Sequence, residues 1–251
     1  MKIPLVIAHR GANREAPENT LPAFERALEM GVDGIECDVM LTSDKVPVIT
    51  HDDSLSKHST TYGHIHKTTY KSLKTVDVGS HFSSEFAGVR IPTLSEMLAL
   101  FRPTSMLLNI EIKVQPQIAN GVEKIVADTI HEFGMDDQVI ISSFSPMILW
   151  RIKQCAPHLR RALLTQPRAF FFLHMRFFAK VLDVWGVNPS LSAADQKLEQ
   201  LARDNGWSVM VWTLNTTDAF AKAASFGVDG IITDDPPLLQ NWLRTNQFPS
   251  P

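Results

Sequence analysis

The chain has 251 residues, 44% of them hydrophobic, enough to bury the core of one sizeable α/β domain. A formal net charge of -3, with Lys and Arg scattered rather than clustered, argues against a basic nucleic-acid-binding surface and points to small-molecule chemistry. Cys37 and Cys155 are too few for a disulfide framework, the apolar opening at 3–8 is too short for a signal-peptide core, and no stretch is long enough to span a bilayer, so the expectation is a soluble cytoplasmic protein.

In chain order, residues 4–8 read as a buried strand, with His9-Arg10-Gly11 where it ends. Asn19 or Thr20 caps a helix whose apolar residues Leu21, Phe24, Ala27 and Leu28 recur at helical spacing, with Pro22 in the first turn and Gly31 as the stop. Gly34-Ile-Glu36-Cys-Asp38-Val39 follows. Strand side chains alternate between faces, so Glu36 and Asp38 point one way while Ile35, Cys37 and Val39 point the other. Two acids on one side of a buried strand repel and are costly to desolvate; they need a cation, a shared proton or basic partners. A shorter strand, 46–50, ends at His51. From 52 to about 90 the chain is polar and without a sustained period, which reads as an inserted subdomain or large loop. Within it His64-x-His66 has the spacing of a small metal site, but without a nearby acid it reads as a solvated loop.

Residues 92–101 read as a helix and 106–113 as a strand that places Glu111 and Lys113 on one face and Leu108, Ile110 and Ile112 on the other. Helices over 118–133, 146–155 and 170–179 alternate with strands over 139–142, 161–164 and 181–187. A helix at 193–205, a strand at 208–212, a helix at 217–226, a strand at 230–233 and a helix at 237–243 complete the run. This alternation predicts an α/β fold with a parallel sheet closed as a (β/α)8 TIM barrel, one domain over 1–251 with a small insertion after the second strand. Gly31-Val-Asp-Gly-Ile-Glu-Cys-Asp38 and Gly227-Val-Asp-Gly-Ile-Ile-Thr-Asp234 share a helix-stop, turn and strand grammar; Asp234 reads as a helix cap. The run Phe170-Phe-Phe-Leu-His-Met-Arg-Phe-Phe178 reads as an outer helix packed on its neighbours or on a second subunit of an oligomer, with contact to a membrane surface as the alternative.

A barrel forms its active site at the C-terminal ends of its strands, where His9, Arg10, Glu36, Asp38, His51, Glu111 and Lys113 all fall. Carboxylates without thiolates suit a hard divalent cation, Mg²⁺ or Ca²⁺. Arg10 and Lys113 add an anion site, and two histidines can divide proton transfer between them. The competing reading is structural: Arg10 in a buried ion pair with Glu111, Lys113 neutralising Glu36 or Asp38, His9 a strand-end histidine, His51 bonded to Asp52.

His9-Arg10-Gly11, Pro17-Glu-Asn-Thr20, Glu36-Cys-Asp38, His51-Asp52, Ile91-Pro-Thr-Leu94, Glu111-Ile-Lys113 and Trp212-Thr213 stand in the order seen in glycerophosphodiester phosphodiesterases, and the chain resembles that family from about residue 5 to 237. The resemblance implies a barrel, a divalent cation, and hydrolysis of small-molecule glycerophosphodiesters such as glycerophosphocholine or glycerophosphoethanolamine to sn-glycerol 3-phosphate and an alcohol. By position it implies that Glu36, Asp38 and Glu111 hold the metal, that His9 and His51 are the acid/base pair, and that Arg10 and Lys113 contact phosphate. Trp212, and with it Phe144, either lines the substrate pocket or fills the barrel mouth. The chain departs from the family pattern at Ser54-Leu-Ser-Lys-His58, which lacks the usual Asp-Arg, and in the aromatic stretch 166–180. Three other functions stay open beside it: a lysophospholipase D, a barrel phosphodiesterase acting on other lipid head groups, and a non-catalytic phosphodiester-binding barrel.

Overall fold

A computed structural model of the chain describes residues 2–115, 120–166 and 171–246, and within 171–176 the backbone alone. The elements run β1 (Leu5–His9), α1 (Leu21–Glu29), β2 (Gly34–Leu41), β3 (Pro47–Ile49), α2 (Tyr70–Leu73), α3 (Leu94–Phe101), β4 (Leu107–Ile112), α4 (Val122–Phe133), β5 (Val139–Ser143) and α5 (Pro146–Cys155). They continue with β6 (Arg160–Thr165), α6 (Phe171–Leu182), β7 (Gly186–Pro189), α7 (Gln196–Asn205), β8 (Ser208–Val211), α8 (Thr217–Ser225), β9 (Gly230–Thr233) and α9 (Pro236–Thr245). β1, β2 and β4 to β9 pair in parallel order, and β1 closes the ring by pairing with both β2 and β9. This is the predicted TIM barrel. β3 is not one of its staves; it folds back antiparallel on the end of β2, pairing Val39 with Ile49 and Leu41 with Pro47.

Every residue of β2 is buried, because helices cover the outer face and the barrel interior covers the inner one. Ile35, Cys37 and Val39 join the outer layer with Phe24 of α1 and Phe101 of α3, whose rings meet edge to face at 5.9 Å. Ile7, Ile140, Ala162, Met210 and Ile232 form a separate apolar plug inside the barrel. Side chains fill the floor, so the polar residues nearer the strand ends form a site rather than a channel.

The helix ends follow local chemistry. Thr93 caps α3 with a capping box to Glu96, Asp195 caps α7, and Gly134 and Gly206 end α4 and α7 in the left-handed conformation. The sequence places a strand at 181–187; instead α6 runs through Leu182 and the strand begins at Gly186. Leu182 is buried on the core side of the helix, Asp183 turns the chain at φ 52°, and Val184 N–H returns to the Ala179 carbonyl, so the apolar pair Val181-Leu182 serves a helix end. The predicted starts of the helices at 118 and 170 lie outside the described residues. Of the aromatic run, Phe177 is 62% exposed while Phe178 packs against the core; the other side chains from Phe170 to Arg176 also lie outside them.

The polar stretch after β3 folds around its own small core of Leu55, Ile65, Leu73, Val76, Val78 and Ile91 set against Met40 and Val48. Short turns of 3-10 helix at Leu55–Lys57, Ile65–Lys67 and Ser84–Phe86 carry it, which explains why no sustained period is visible in sequence. Among the described residues no helix is long and apolar enough to cross a membrane.

Candidate active site

Strand register sets the site. Parallel pairing puts His9 level with Glu36, and Asp38 level with Glu111, so one turn of the barrel rim brings side chains of β1, β2 and β4 together. Oxygens of Glu36, Asp38 and Glu111 lie within 4.8 Å of one another. All three carboxylates are buried. Burial, reinforced by the charges of Asp38 and Glu111, pushes Glu36 well above the usual carboxylate range; burial, with Asp38 next, raises Glu111 to about 7.

Two cations meet the cluster without neutralising it. Lys113 Nζ is 2.9 Å from Glu111 Oε1 and 3.4 Å from Asp38 Oδ1, and Arg10 Nε is 3.3 Å from Asp38 Oδ2. The Arg10 backbone N–H donates to Glu36 Oε2 at 3.2 Å. Of the ion pairs anticipated from sequence, Lys113 does meet Asp38, but Arg10 pairs with Asp38 and Glu18 rather than with Glu111, and three carboxylates face two cations. Asn109, also inward on β4 and level with Glu36, adds a buried carboxamide with neither polar atom hydrogen-bonded among the described residues. An all-oxygen donor set with surplus negative charge and an unpartnered amide fits a hard divalent cation.

Arg10 reaches the site through an uncommon backbone. It sits at φ 56° and Gly11 at 78°, where a Cβ on Gly11 would lie 2.8 Å from the Ala23 carbonyl carbon of α1. The turn is thereby packed down on α1, and the guanidinium is held by Glu18, whose Oε1 accepts from Nη1 at 2.9 Å. His58 Nε2 stands 3.2 Å from the same Glu18 oxygen, and His58 Nδ1 is 3.1 Å from His81 Nε2. Burial works against ionising Glu18, yet His58 and Arg10 bring it down to about 2. His58 lies where the chain departs from the family pattern; it links the insertion to Arg10.

Sequence reasoning missed two further residues. Asp234 does not cap α9: Asp235 does, accepting from Leu238 N–H at 3.0 Å. Asp234 Oδ1 instead lies 2.6 Å from His9 Nδ1 and accepts from Asn13 Nδ2 at 2.5 Å, while Oδ2 accepts from Asn215 Nδ2 at 2.7 Å. Burial opposes ionisation, but bonds from His9, Asn13 and Asn215 pull the carboxyl far below its ordinary value. The signal was in the sequence echo, where Asp234 matches Asp38. Asn19 is the second: Thr20 is the helix N-cap residue, while the Asn19 amide donates to Asp38 Oδ2 at 2.9 Å and its oxygen accepts from Asp38 N–H. Its φ of 58° turns the side chain back on β2.

His51 arrives from the β2–β3 hairpin rather than from a barrel strand. Its Nδ1 is 3.1 Å from Asp52 Oδ2, which also takes Lys57 Nζ at 2.5 Å. Burial lowers the pKa of His51, opposed by Asp38 and assisted by Lys113 and Arg10. His9, Arg10, Glu36, His51, Glu111 and Lys113 line one cavity of about 160 Å³. Phe144 and Trp212 form its apolar wall, rings edge to face at 5.5 Å, with the indole N–H donating to the Asn188 carbonyl at 2.7 Å. Asp38 lies at the base of this cluster through its contacts with Arg10 and Lys113. A larger groove of about 510 Å³ between α7 and α8 holds none of these residues.

Residues 9–238 match the model of the glycerophosphoryl diester phosphodiesterase family. A glycerophosphodiester phosphodiesterase of Caldanaerobacter subterraneus subsp. tengcongensis is 38% identical over 96% of this chain and 98% of its own length. One from Bacillus altitudinis is 33% identical over 92% and 94%. Among solved structures, an Oleispira antarctica phosphodiesterase in complex with the product sn-glycerol-3-phosphate superposes with TM-score 0.83 at 30% identity, covering 96% of this chain and 97% of that one. With the matched model spanning most of its length, the chain belongs to the glycerophosphoryl diester phosphodiesterase family.

Proposed function

We propose that the protein hydrolyses glycerophosphodiesters to sn-glycerol 3-phosphate and an alcohol, using a divalent cation held by Glu36, Asp38 and Glu111 and proton transfer by His9 and His51. The observation that carries this reading is the meeting of surplus buried carboxylates, two cations and two oriented imidazoles on one small cavity. A non-catalytic binder needs the charges but gains nothing from two histidines whose Nδ1 atoms are each engaged by an aspartate.

The bound cation, Mg²⁺ or Ca²⁺, supplies Lewis-acid polarisation of a phosphoryl oxygen. Arg10 and Lys113 hold the remaining phosphate oxygens, one through a planar fork and the other as a point charge. Asp234 fixes the His9 tautomer by accepting at Nδ1, which leaves Nε2 for proton transfer; Asp52 does the same for His51. One imidazole takes the proton of the attacking oxygen and the other returns a proton to the departing alcohol. The phosphodiester sits in the cavity of about 160 Å³, with the Phe144–Trp212 wall beside one of its flanking groups.

A panel of glycerophosphocholine, glycerophosphoethanolamine and lysophosphatidylcholine, offered to chelator-treated protein with Mg²⁺ or Ca²⁺ restored, tests the reading. Release of sn-glycerol 3-phosphate from the soluble diesters supports it; intact diesters after long incubation with both cations refute it.

A further inference from the structure

We propose that Asp53, His64 and His66 form a second metal site, in the insertion, that takes a borderline divalent cation of the Zn²⁺ class rather than the hard cation of the barrel. The sequence offers His64-x-His66 without an acid nearby; the fold supplies one. Asp53 Oδ2 lies 2.8 Å from His64 Nδ1 and 2.7 Å from His66 Nδ1, and the three ligand atoms fall within 4.8 Å of one another.

The arrangement is built rather than incidental. Asp53 Oδ1 accepts the backbone N–H of His66 at 3.1 Å, which fixes the carboxylate; His66 Nδ1 lies 2.7 Å from both its oxygens, and Oδ2 also faces His64. Ile65 N–H donates to the Asp53 carbonyl at 2.8 Å, Leu55 N–H donates to the Gly63 carbonyl at 3.0 Å, and Ser54 bridges His64. Ile65, between the two histidines, is fully buried in the insertion's core and anchors the backbone that carries both rings. His66 is buried and His64 is half exposed, which leaves one side open for cation entry and a further ligand.

The donor set decides the class. Two imidazole nitrogens and one carboxylate oxygen suit Zn²⁺ or Co²⁺, whereas the all-oxygen barrel cluster suits Mg²⁺ or Ca²⁺. Bonds of about 2.0–2.1 Å in a tetrahedron put ligand atoms about 3.4 Å apart, so Asp53 Oδ2 must draw back from each Nδ1 by roughly 0.6–0.7 Å, within reach of small side-chain rotations. Without metal each Nδ1 carries the proton shared with Asp53; on binding, each neutral ring moves that proton to Nε2 and its Nδ1 lone pair faces the cation. Occupancy clips together the ends of a loop that begins two residues after His51.

His131, Asp136 and His158 make another such group, but on the surface, with His131 Nδ1 no closer than 3.3 Å to the carboxylate. It serves as the control. Chelator-stripped protein, saturated with Mg²⁺ to engage the barrel carboxylates, is titrated calorimetrically with Zn²⁺ as wild type, as His64→Ala/His66→Ala, and as His158→Ala. The expected result is a zinc equivalent present in wild type and His158→Ala and lost in the double variant. Should that variant misfold, ¹⁵N-detected imidazole spectra of the wild type give the answer directly, the His64 and His66 Nδ1 resonances moving with the added zinc. Identical titrations of wild type and double variant, or Nδ1 resonances that stay in place, overturn the proposal.

Discussion

His9 Nδ1 and Asp234 Oδ1 lie 2.6 Å apart, joining the end of the first barrel strand to the residue that follows the last. The contact spans the seam where β1 and β9 close the ring, so closure of the fold brings the Asp234 carboxylate to the His9 imidazole. Replacing Asp234 by Asn keeps the shape but lets the amide donate to His9 and select the wrong tautomer. Turnover of Asp234→Asn should fall on the order of 10²- to 10⁴-fold with little change in KM. Steady-state kinetics with a circular-dichroism check of folding measure this; a KM defect with normal kcat would place Asp234 outside proton transfer.

Glu18 couples Arg10 to the insertion through His58, and its ionisation has a thermodynamic signature. The folded-state pKa is held at about 2 against an ordinary value of 4.5. A depressed carboxylate contributes stability above its unfolded pKa and loses it as pH falls through the folded one, here between about 4.5 and 2. Wild type should therefore be more stable than Glu18→Gln near neutrality, and the gap in Tm should close across that acid window. A gap that does not vary with pH would assign Glu18 a packing role alone.

The Phe144–Trp212 wall predicts a selectivity effect. Trp212→Ala removes both the ring and the hydrogen bond to the Asn188 carbonyl. KM for a glycerophosphodiester with a bulky alcohol should rise roughly tenfold, the scale of losing an apolar contact of 1–3 kcal/mol, while a small-alcohol diester is affected less. Equal losses for both would mean that the wall only supports the barrel mouth.

Gly11→Ala tests the turn that carries Arg10. At φ 78° and with the Ala23 carbonyl carbon 2.8 Å from the new Cβ, the substitution strains the backbone and pushes on α1. A loss of about 1–3 kcal/mol in denaturant unfolding is expected, together with weaker phosphate binding. Wild-type stability would show that α1 gives way freely.

Much of the barrel and of the carboxylate cluster was legible because both rest on period-two alternation. Glu36, Asp38 and Glu111 stand out as acids where strand burial demands apolar residues, and parallel register then aligns them. Asp234 was hidden because an acid before a proline-started helix has a local explanation; only ring closure brings it to His9. Local pattern lets either Asn19 or Thr20 cap α1; Thr20 holds that position, and what diverts Asn19 to Asp38 is a left-handed backbone that local pattern does not specify. The Val181-Leu182 pair fits strand and helix equally until Asp183 turns the chain. Asp53 lies eleven residues from His64, and the link between them depends on short 3-10 turns that leave no periodic trace.

Cation binding to the barrel rim is the most direct test of the whole account. Chelator-stripped wild type and Glu36→Gln/Glu111→Gln are each titrated with Mg²⁺ and Ca²⁺ by calorimetry, and each sample is assayed on glycerophosphocholine. Hard-cation binding that restores turnover in the wild type, with both lost together in the variant, is the predicted result. Full turnover by stripped protein, or unaltered cation binding after both carboxylates are removed, would contradict it.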